Sequence, residues 1–200
     1  MAGWAIGLLV VYLSLAFGVR VAVALRTTGK TGIAGLGGAP PAEVIGGGLF
    51  FAGVAAGVAN PVLVASDALS PIDALDVTGL HAAGFALVGI GIAGTFIAQL
   101  QMGASWRIGV DESERTELVT GGLFSLVRNP IYTFMLIGWT GFALLVPTWL
   151  GYAAIVIGLA GIEIQVRLAE EPFLIRMAGE PYRAWASSVG RFVPGLGRLG

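Results

Sequence analysis

Residues 131–166 read IYTFMLIGWTGFALLV, then PT, then WLGYAAIVIGLAGIEIQV. Two apolar runs, Ile131–Val146 and Trp149–Val166, are separated by Pro147 and Thr148 alone. No formally charged residue interrupts the stretch before Glu163. A helix that crosses a bilayer needs about 20 mostly apolar residues, and each run comes close to that length. With two linking residues the helices must lie antiparallel and side by side, as a tight hairpin.

Upstream of this hairpin, three further runs have the length and polarity of membrane spans: Trp4–Leu25, Val44–Ser66 and Val77–Leu100. The first is too long for a signal peptide and lacks a basic segment before it. The fold expected is all-α: a polytopic membrane protein with about five transmembrane helices and a cytoplasmic C-terminal helical segment. Composition agrees. Apolar residues make up 56% and charged residues 12%, against roughly 25% charge in soluble domains, and the mean hydropathy is +0.86. The 32 glycines have no collagen period and suit close packing of helices in lipid. The chain divides into residues 1–100, with three spans and their loops, and residues 101–200, with a loop, the hairpin at 130–167 and the C-terminal segment.

Composition also excludes chemistry. Without cysteine there is no disulfide, thiolate metal site or cysteine nucleophile. The single histidine, His81, lacks co-ligands for a metal, and its position reads as a packed or interfacial residue at a helix start. No metal is expected. A net charge of −1 gives no footprint for nucleic acid.

Charge placement sets the orientation. Arg26 and Lys30 follow the first span, Arg107, Arg115 and Arg128 lie between the third and fourth, and Arg167, Arg176, Arg183, Arg191 and Arg198 lie at or beyond the end of the fifth. Arg20 can snorkel to the same side. The opposite loops hold Asp67, Asp73 and Asp76. Positive charge collects on the cytoplasmic side, so the N-terminus is expected outside and the C-terminus inside, in what reads as a bacterial inner membrane.

Several local signals concern packing. Thr27–Pro41, rich in Gly and Pro, reads as a loop. Asn60 and Pro61 should break or kink the second span, since proline removes a helix hydrogen bond. Gly53 and Gly57 form a small-xxx-small pair suited to helix contact. Gly89, Gly91 and Gly94 spell G-x-G-x-x-G, but inside an apolar span rather than between a strand and a helix, so they read as a packing face.

Polar residues gather in two cytoplasmic stretches, Gln99–Tyr132 and Glu163–Pro194. Glu163, Arg167, Glu170 and Glu171 are spaced i, i+4, i+7, i+8, one face of a helix. That face is either a salt-bridged helix end or part of a site, because a carboxylate at membrane depth is costly and usually faces a cavity or partner. Asn129 suits an N-cap and Pro130 a first helical position, so the start of the fourth span offers free N–H groups to an anion. Arg128 stands beside it, and Tyr132 lies one turn on. Tyr182, Arg183, Trp185, Arg191 and Phe192 alternate aromatic and basic residues, as in an amphipathic helix on the membrane surface.

The segment Leu118–Tyr132, LVTGGLFSLVRNPIY, resembles the arginine–histidine–proline–x–tyrosine segment of the isoprenylcysteine carboxyl methyltransferase family, whose superfamily includes the phospholipid N-methyltransferases. The adjacent Glu170 and Glu171, then Gly179, Tyr182 and Arg191-Phe-Val-Pro194, match its second half. The resemblance covers roughly Gln101 to Pro194. It implies S-adenosylmethionine held in a cytoplasmic pocket between the loop before the hairpin and the segment after it, with a lipophilic acceptor arriving from the bilayer. On that reading the cofactor-binding residues are Gln101, Val119, Thr120, Gly122, Leu123, Phe124, Arg128, Asn129, Pro130, Tyr132, Glu170, Glu171, Tyr182 and Trp185. Arg128 and the helix start suit the cofactor carboxylate, a glutamate its ammonium or ribose, and an aromatic ring its sulfonium or adenine. Glu163, Glu171 and Tyr132 are the catalytic candidates. The family commonly has histidine where this chain has Asn129, so no general base is assigned there. With a carboxylate acceptor, alignment suffices. With an amine or phenol, a carboxylate must take the proton.

The function implied is an integral membrane S-adenosylmethionine-dependent methyltransferase acting on a lipophilic small molecule or lipid. Two other readings stay open: a membrane reductase using NADPH, related to the sterol reductases, and a non-enzymatic small transporter or assembly factor. Sterol reductases are usually much longer, and a transporter should carry more ionisable residues at mid-span.

Overall fold

The computed structural model describes residues 1–29, 40–103 and 118–200. Helix α1 (Ala2–Leu13) passes through a π-helical stretch, Ser14–Val19, into α2 (Arg20–Thr28) as one continuous rod. Helices α3 (Pro41–Ala65) and α4 (Thr78–Met102) have 25 residues each, about 37 Å at the usual rise of 1.5 Å per residue. Helix α5 (Pro130–Leu145) has 16, about 24 Å by the same rise. Helix α6 (Trp149–Gln165) runs through a second π-helical stretch, Val166–Glu170, into α7 (Glu171–Ala178), and α8 (Glu180–Ser188) follows. Among the described residues there is no strand, only one isolated bridge between Val127 and Gly190.

Helices satisfy every backbone polar group internally, which lipid requires. Four of these helical runs are long and apolar enough to cross a membrane, Ala2–Arg26, Pro41–Ala65, Thr78–Met102 and Trp149–Ala178, and α5 is a shorter apolar helix. The protein is an integral membrane protein, all-α, as its sequence implied. Lys30, Arg107, Arg115 and the middle of the Thr27–Pro41 stretch lie outside the described residues.

Two glycine seams hold the bundle. Where α3 meets α6, a Cβ on Gly53 would stand 2.8 Å from the Cα of Gly158, and one on Gly46 would stand 2.8 Å from the nitrogen of Gln165. Gly57 faces the Ala154 methyl at ordinary contact distance. Where α4 meets α5, a Cβ on Gly84 would lie 2.9 Å from the Gly141 carbonyl, Gly91 abuts Gly138, and Gly94 abuts the Phe134 ring. Gly91 and Gly94 of the G-x-G-x-x-G run are therefore packing residues. With lipid offering no hydrophobic drive between helices, close backbone approach of this kind drives association. Tyr12, Val88, Met135, Phe142 and Leu145 form the core between α1, α4 and α5.

Two expectations change. The second span is not broken at Asn60–Pro61: α3 continues to Ala65. Pro61 removes a single N–H close to the helix end, which limits the damage. Asn60 does not act as a breaker but as a clamp. It is 3% exposed, its Nδ2 donates to the Val146 carbonyl at 3.0 Å, and its Oδ1 accepts from Thr148 Oγ1 at 2.5 Å. Thr148 also caps α6 through the Gly151 N–H at 3.0 Å, so the two-residue hairpin turn is tied to α3. Arg20, expected to snorkel, is 2% exposed and donates to the Gly103 carbonyl at 2.9 Å. It ties α2 to the end of α4 rather than reaching for water.

Candidate functional site

The site is built at the end of the bundle where α4 stops, α5 starts and α6 runs into α7. Before α5, the chain makes a short 3-10 turn, Gly122–Ser125. Gly122 has φ +61°, and its missing Cβ leaves room for the Gln101 side chain, whose carboxamide carbon would otherwise lie 2.6 Å away. Gln101 Oε1 accepts the Leu123 N–H at 2.8 Å. Phe124 is buried, Val119 and Leu123 are half-buried, and Thr120 is exposed. The Gly122–Ser125 turn is thus held by a side chain from α4.

Arg128 follows, and it is 4% exposed. Its Nη1 donates to the carbonyls of Ala186 (2.9 Å) and Val189 (2.5 Å), and its Nη2 to Glu171 Oε1 (2.6 Å) and the Gly197 carbonyl (3.0 Å). Arg191 grips the same carboxylate with a fork: Nε to Oε1 at 2.8 Å and Nη2 to Oε2 at 2.9 Å. Two guanidinium groups thus share Glu171, the geometry in which charge-assisted hydrogen bonds are strongest. The hydrogen bonds to Glu171 push the Arg191 guanidinium above its usual range, against the lowering effect of burial.

Asn129 and Pro130 occupy the N-cap and first helical positions of α5, as expected, but the Asn129 side chain makes no cap bond. Its Nδ2 donates instead to the Arg191 carbonyl at 3.2 Å. Tyr132 donates its hydroxyl to Glu170 Oε1 at 2.8 Å and sets its ring edge-on to Phe50, centroids 6.3 Å apart.

Glu163, Arg167, Glu170 and Glu171 have different partners. The π-helical stretch Val166–Glu170 widens the turn and shifts the phase that i, i+4, i+7 counting assumes. Glu163 pairs with Arg167 on a partly exposed flank, while Glu170 turns to Tyr132 and Glu171 to the two arginines. Nor does the aromatic–basic segment form one surface helix. Helix α8 ends at Ser188, leaving Arg191 and Phe192 in irregular chain. Tyr182 is 1% exposed, sealed inside the protein. Burial first, and the Glu171 charge second, push its hydroxyl up to about 12, so it stays neutral. Trp185 meets it edge-to-face at 5.7 Å.

Of the residues singled out in the sequence, the structure joins Gln101 to the Gly122–Ser125 turn, Tyr132 to Glu170, and Arg128 to Glu171. It leaves Glu163 outside these contacts. Arg191 was read as a surface residue, yet it completes the Glu171 knot; the signal was its place in the Arg191–Pro194 ending. Glu43, 5% exposed in the first turn of α3 and within electrostatic reach of Tyr132, gave no sequence signal beyond being an acid at a helix start. The arrangement offers hydrogen-bond donors, a phenol–carboxylate pair and aromatic rings at the edge of an apolar bundle. Buried N–H groups of Arg128 (Nε) and Trp185 (Nε1) have no acceptor among the described residues.

No curated protein matches the chain. A family model, that of phospholipid methyltransferase, matches residues 80–180, a stretch that contains all but the first two residues of α4, the whole of α5, α6 and α7, and the contacts Tyr132–Glu170 and Arg128–Glu171. The chain belongs to the phospholipid methyltransferase family.

Proposed function

We propose that this protein transfers a methyl group from S-adenosylmethionine to a lipophilic small molecule or lipid at the cytoplasmic face of a bacterial inner membrane. The observation that carries the reading is the meeting of the pre-hairpin loop and the post-hairpin segment, through Arg128–Glu171 and Tyr132–Glu170, inside the region that matches the family. Two orphaned buried donors, Arg128 Nε and Trp185 Nε1, fit an acceptor-rich ligand with a carboxylate, ribose and adenine. The residues that would line it are Gln101, Val119, Thr120, Gly122, Leu123, Phe124, Asn129 and Tyr132 on one side and Glu170 and Trp185 on the other, with the enclosed Arg128, Pro130, Glu171 and Tyr182 forming the wall behind them. When bound, S-adenosylmethionine supplies an electrophilic methyl group on a sulfonium.

The chain's own residues orient and seal. Both Glu171 oxygens are engaged by arginines, which makes that carboxylate a poor proton acceptor. Glu163 faces outward with Arg167. The Tyr132–Glu170 pair is the arrangement best suited to take a proton from an amine or hydroxyl acceptor, or to orient an acceptor that has none to lose. Helix α5 is about 6 Å short of a hydrocarbon core of about 30 Å, so its start, and Tyr132 with it, can sit where lipid meets water. A lipid acceptor then reaches the site sideways without leaving the bilayer, which would cost about 0.8 kcal/mol per exposed methylene.

Calorimetry on the detergent-purified protein should give a saturable S-adenosylmethionine isotherm and none with NADPH. The reverse result would move the protein to the reductase reading. A reporter fused after Gly200 should act as cytoplasmic, since the basic residues described lie at the site end; external activity would invert the topology.

A further inference from the structure

The last residues of the chain wrap around the loop that leads into α5. Arg128 and Asn129 donate their backbone N–H groups to the carbonyls of Gly190 (2.8 Å) and Arg191 (3.1 Å), and Thr133 Oγ1 donates to the Phe192 carbonyl (2.9 Å). The segment then folds back on itself, Arg191 N–H to Leu196 at 2.8 Å and Leu199 N–H to Ala186 at 2.9 Å. Both η nitrogens of Arg128 are taken up at the centre of this strap, by three of its carbonyls and by Glu171. In sequence Arg128 reads as the partner of a cofactor carboxylate. In the fold, four of its hydrogen bonds are already made, and three of them go to the strap.

We propose that residues 186–199 form a strap whose docking is coupled to cofactor binding, and that Arg128 and Glu171 are positioning residues that seat it. This rests on the methyltransferase reading for the identity of the ligand. The physical case is geometric. A planar guanidinium can reach four acceptors in fixed directions, whereas a lysine ammonium, a point charge with three donors, cannot. The strap lies against Asn129 and Thr133, which flank the turn of α5 that carries Tyr132. A docked strap therefore fixes the wall of the site, and an undocked one leaves Glu171 and Arg128 facing water. By linkage, a ligand that prefers the docked state must stabilise it.

Hydrogen exchange on the full-length protein reads this directly. S-adenosylmethionine at about 100-fold above its Kd should slow exchange of the Arg191, Leu196 and Leu199 amides by about tenfold or more, while amides of the Ser66–Val77 loop at the opposite end stay unchanged. Gly190→Val disrupts the strap's own fold, and through it the strap's seat, without touching a charge, because a Cβ there would meet the Val193 carbonyl oxygen and lie 2.8 Å from both the Gly195 nitrogen and the Leu196 carbonyl oxygen. It should weaken cofactor affinity about tenfold. Arg128→Gln should do the same, Arg128→Lys should fail to rescue, and Arg128→Gln combined with Gly190→Val should be no worse than either alone. Three results would overturn the proposal: ligand binding with unchanged strap exchange, near-normal affinity in Arg128→Lys, or additive losses in the double variant. Absence of any S-adenosylmethionine isotherm in the wild type would instead overturn the methyltransferase reading and this coupling with it.

Discussion

The two ends of the hairpin are both fastened by buried polar groups, but by different chemistry. At the far end, Asn60, Thr148 and the Val146 carbonyl make a neutral clamp that joins α3 to the two-residue turn. At the site end, Arg128, Glu171 and Arg191 make an ionic knot that joins the loop before α5, the start of α7 and the last residues of the chain. A neutral amide and hydroxyl can be enclosed at the cost of desolvating dipoles, whereas charges need near-complete pairing to be buried at all. The clamp serves a fixed bundle. The knot ties together segments that carry the candidate ligand contacts, so on the proposed function the clamp should govern stability alone and the knot both stability and binding.

Breaking the knot should have the larger consequence. Glu171→Ala strands two guanidinium groups, one of them fully enclosed, and removal of one partner of a buried pair costs about 3–5 kcal/mol. Thermal unfolding of the purified variant, followed with S-adenosylmethionine titration, should show both lower stability and lost binding. Intact binding would mean that the knot is incidental to the site.

Tyr132→Phe sharpens the contrast by leaving the knot alone. Removing a positioned proton-transfer group lowers rate roughly 100-fold or more, so methyl transfer to a hydroxyl or amine acceptor should fall by about that much in kcat while cofactor affinity holds. An unchanged kcat would remove Tyr132 from the chemistry and favour an acceptor that is already ionised.

At the far end, Asn60→Ala leaves the Thr148 hydroxyl hydrogen without its acceptor and the Val146 carbonyl without the Asn60 donor, a cost of about 1–3 kcal/mol. The melting temperature should drop and cofactor affinity should not. If affinity falls with stability, the two ends are not independent. The smallest effect belongs to Glu163→Gln. Its pairing with Arg167 is an exposed i, i+4 contact, worth about 0.3–0.5 kcal/mol, and stability and binding should both stay close to wild type. A large loss of activity would return Glu163 to the catalytic set.

The spans and the hairpin were legible because lipid imposes one rule, long apolar helices, and the sequence obeys it from Trp4 to Val166. The glycine seams were legible for the same reason, though not their pairings: nothing local says that Gly53 faces Gly158 or that Gly91 faces Gly138. The site was half legible. Its motifs marked segments that meet in the fold, where Arg128 pairs with Glu171 and Tyr132 with Glu170. What the sequence could not give was the π-helical stretch Val166–Glu170 between Glu163 and Glu171, since helix counting assumes an unbroken period. Nor could it reveal that Arg128 spends its hydrogen bonds on carbonyls more than 50 residues away, because backbone acceptors leave no trace in side-chain identity. Asn60 shows the same limit from the other side: beside a proline it reads as a breaker, and only the neighbouring turn makes it a clamp.

On the proposed function, the site end of this bundle methylates a lipophilic acceptor. The most direct test is transfer of labelled methyl from S-adenosylmethionine by the purified protein to a homologous series of amine, hydroxyl and carboxylate acceptors of rising chain length. Label should appear in the lipid fraction, with kcat/KM rising as the chain lengthens and falling steeply in Tyr132→Phe or Gly190→Val. Equal labelling of short soluble acceptors would contradict lateral entry, and no labelling of any acceptor by protein that binds S-adenosylmethionine would contradict the proposed function itself.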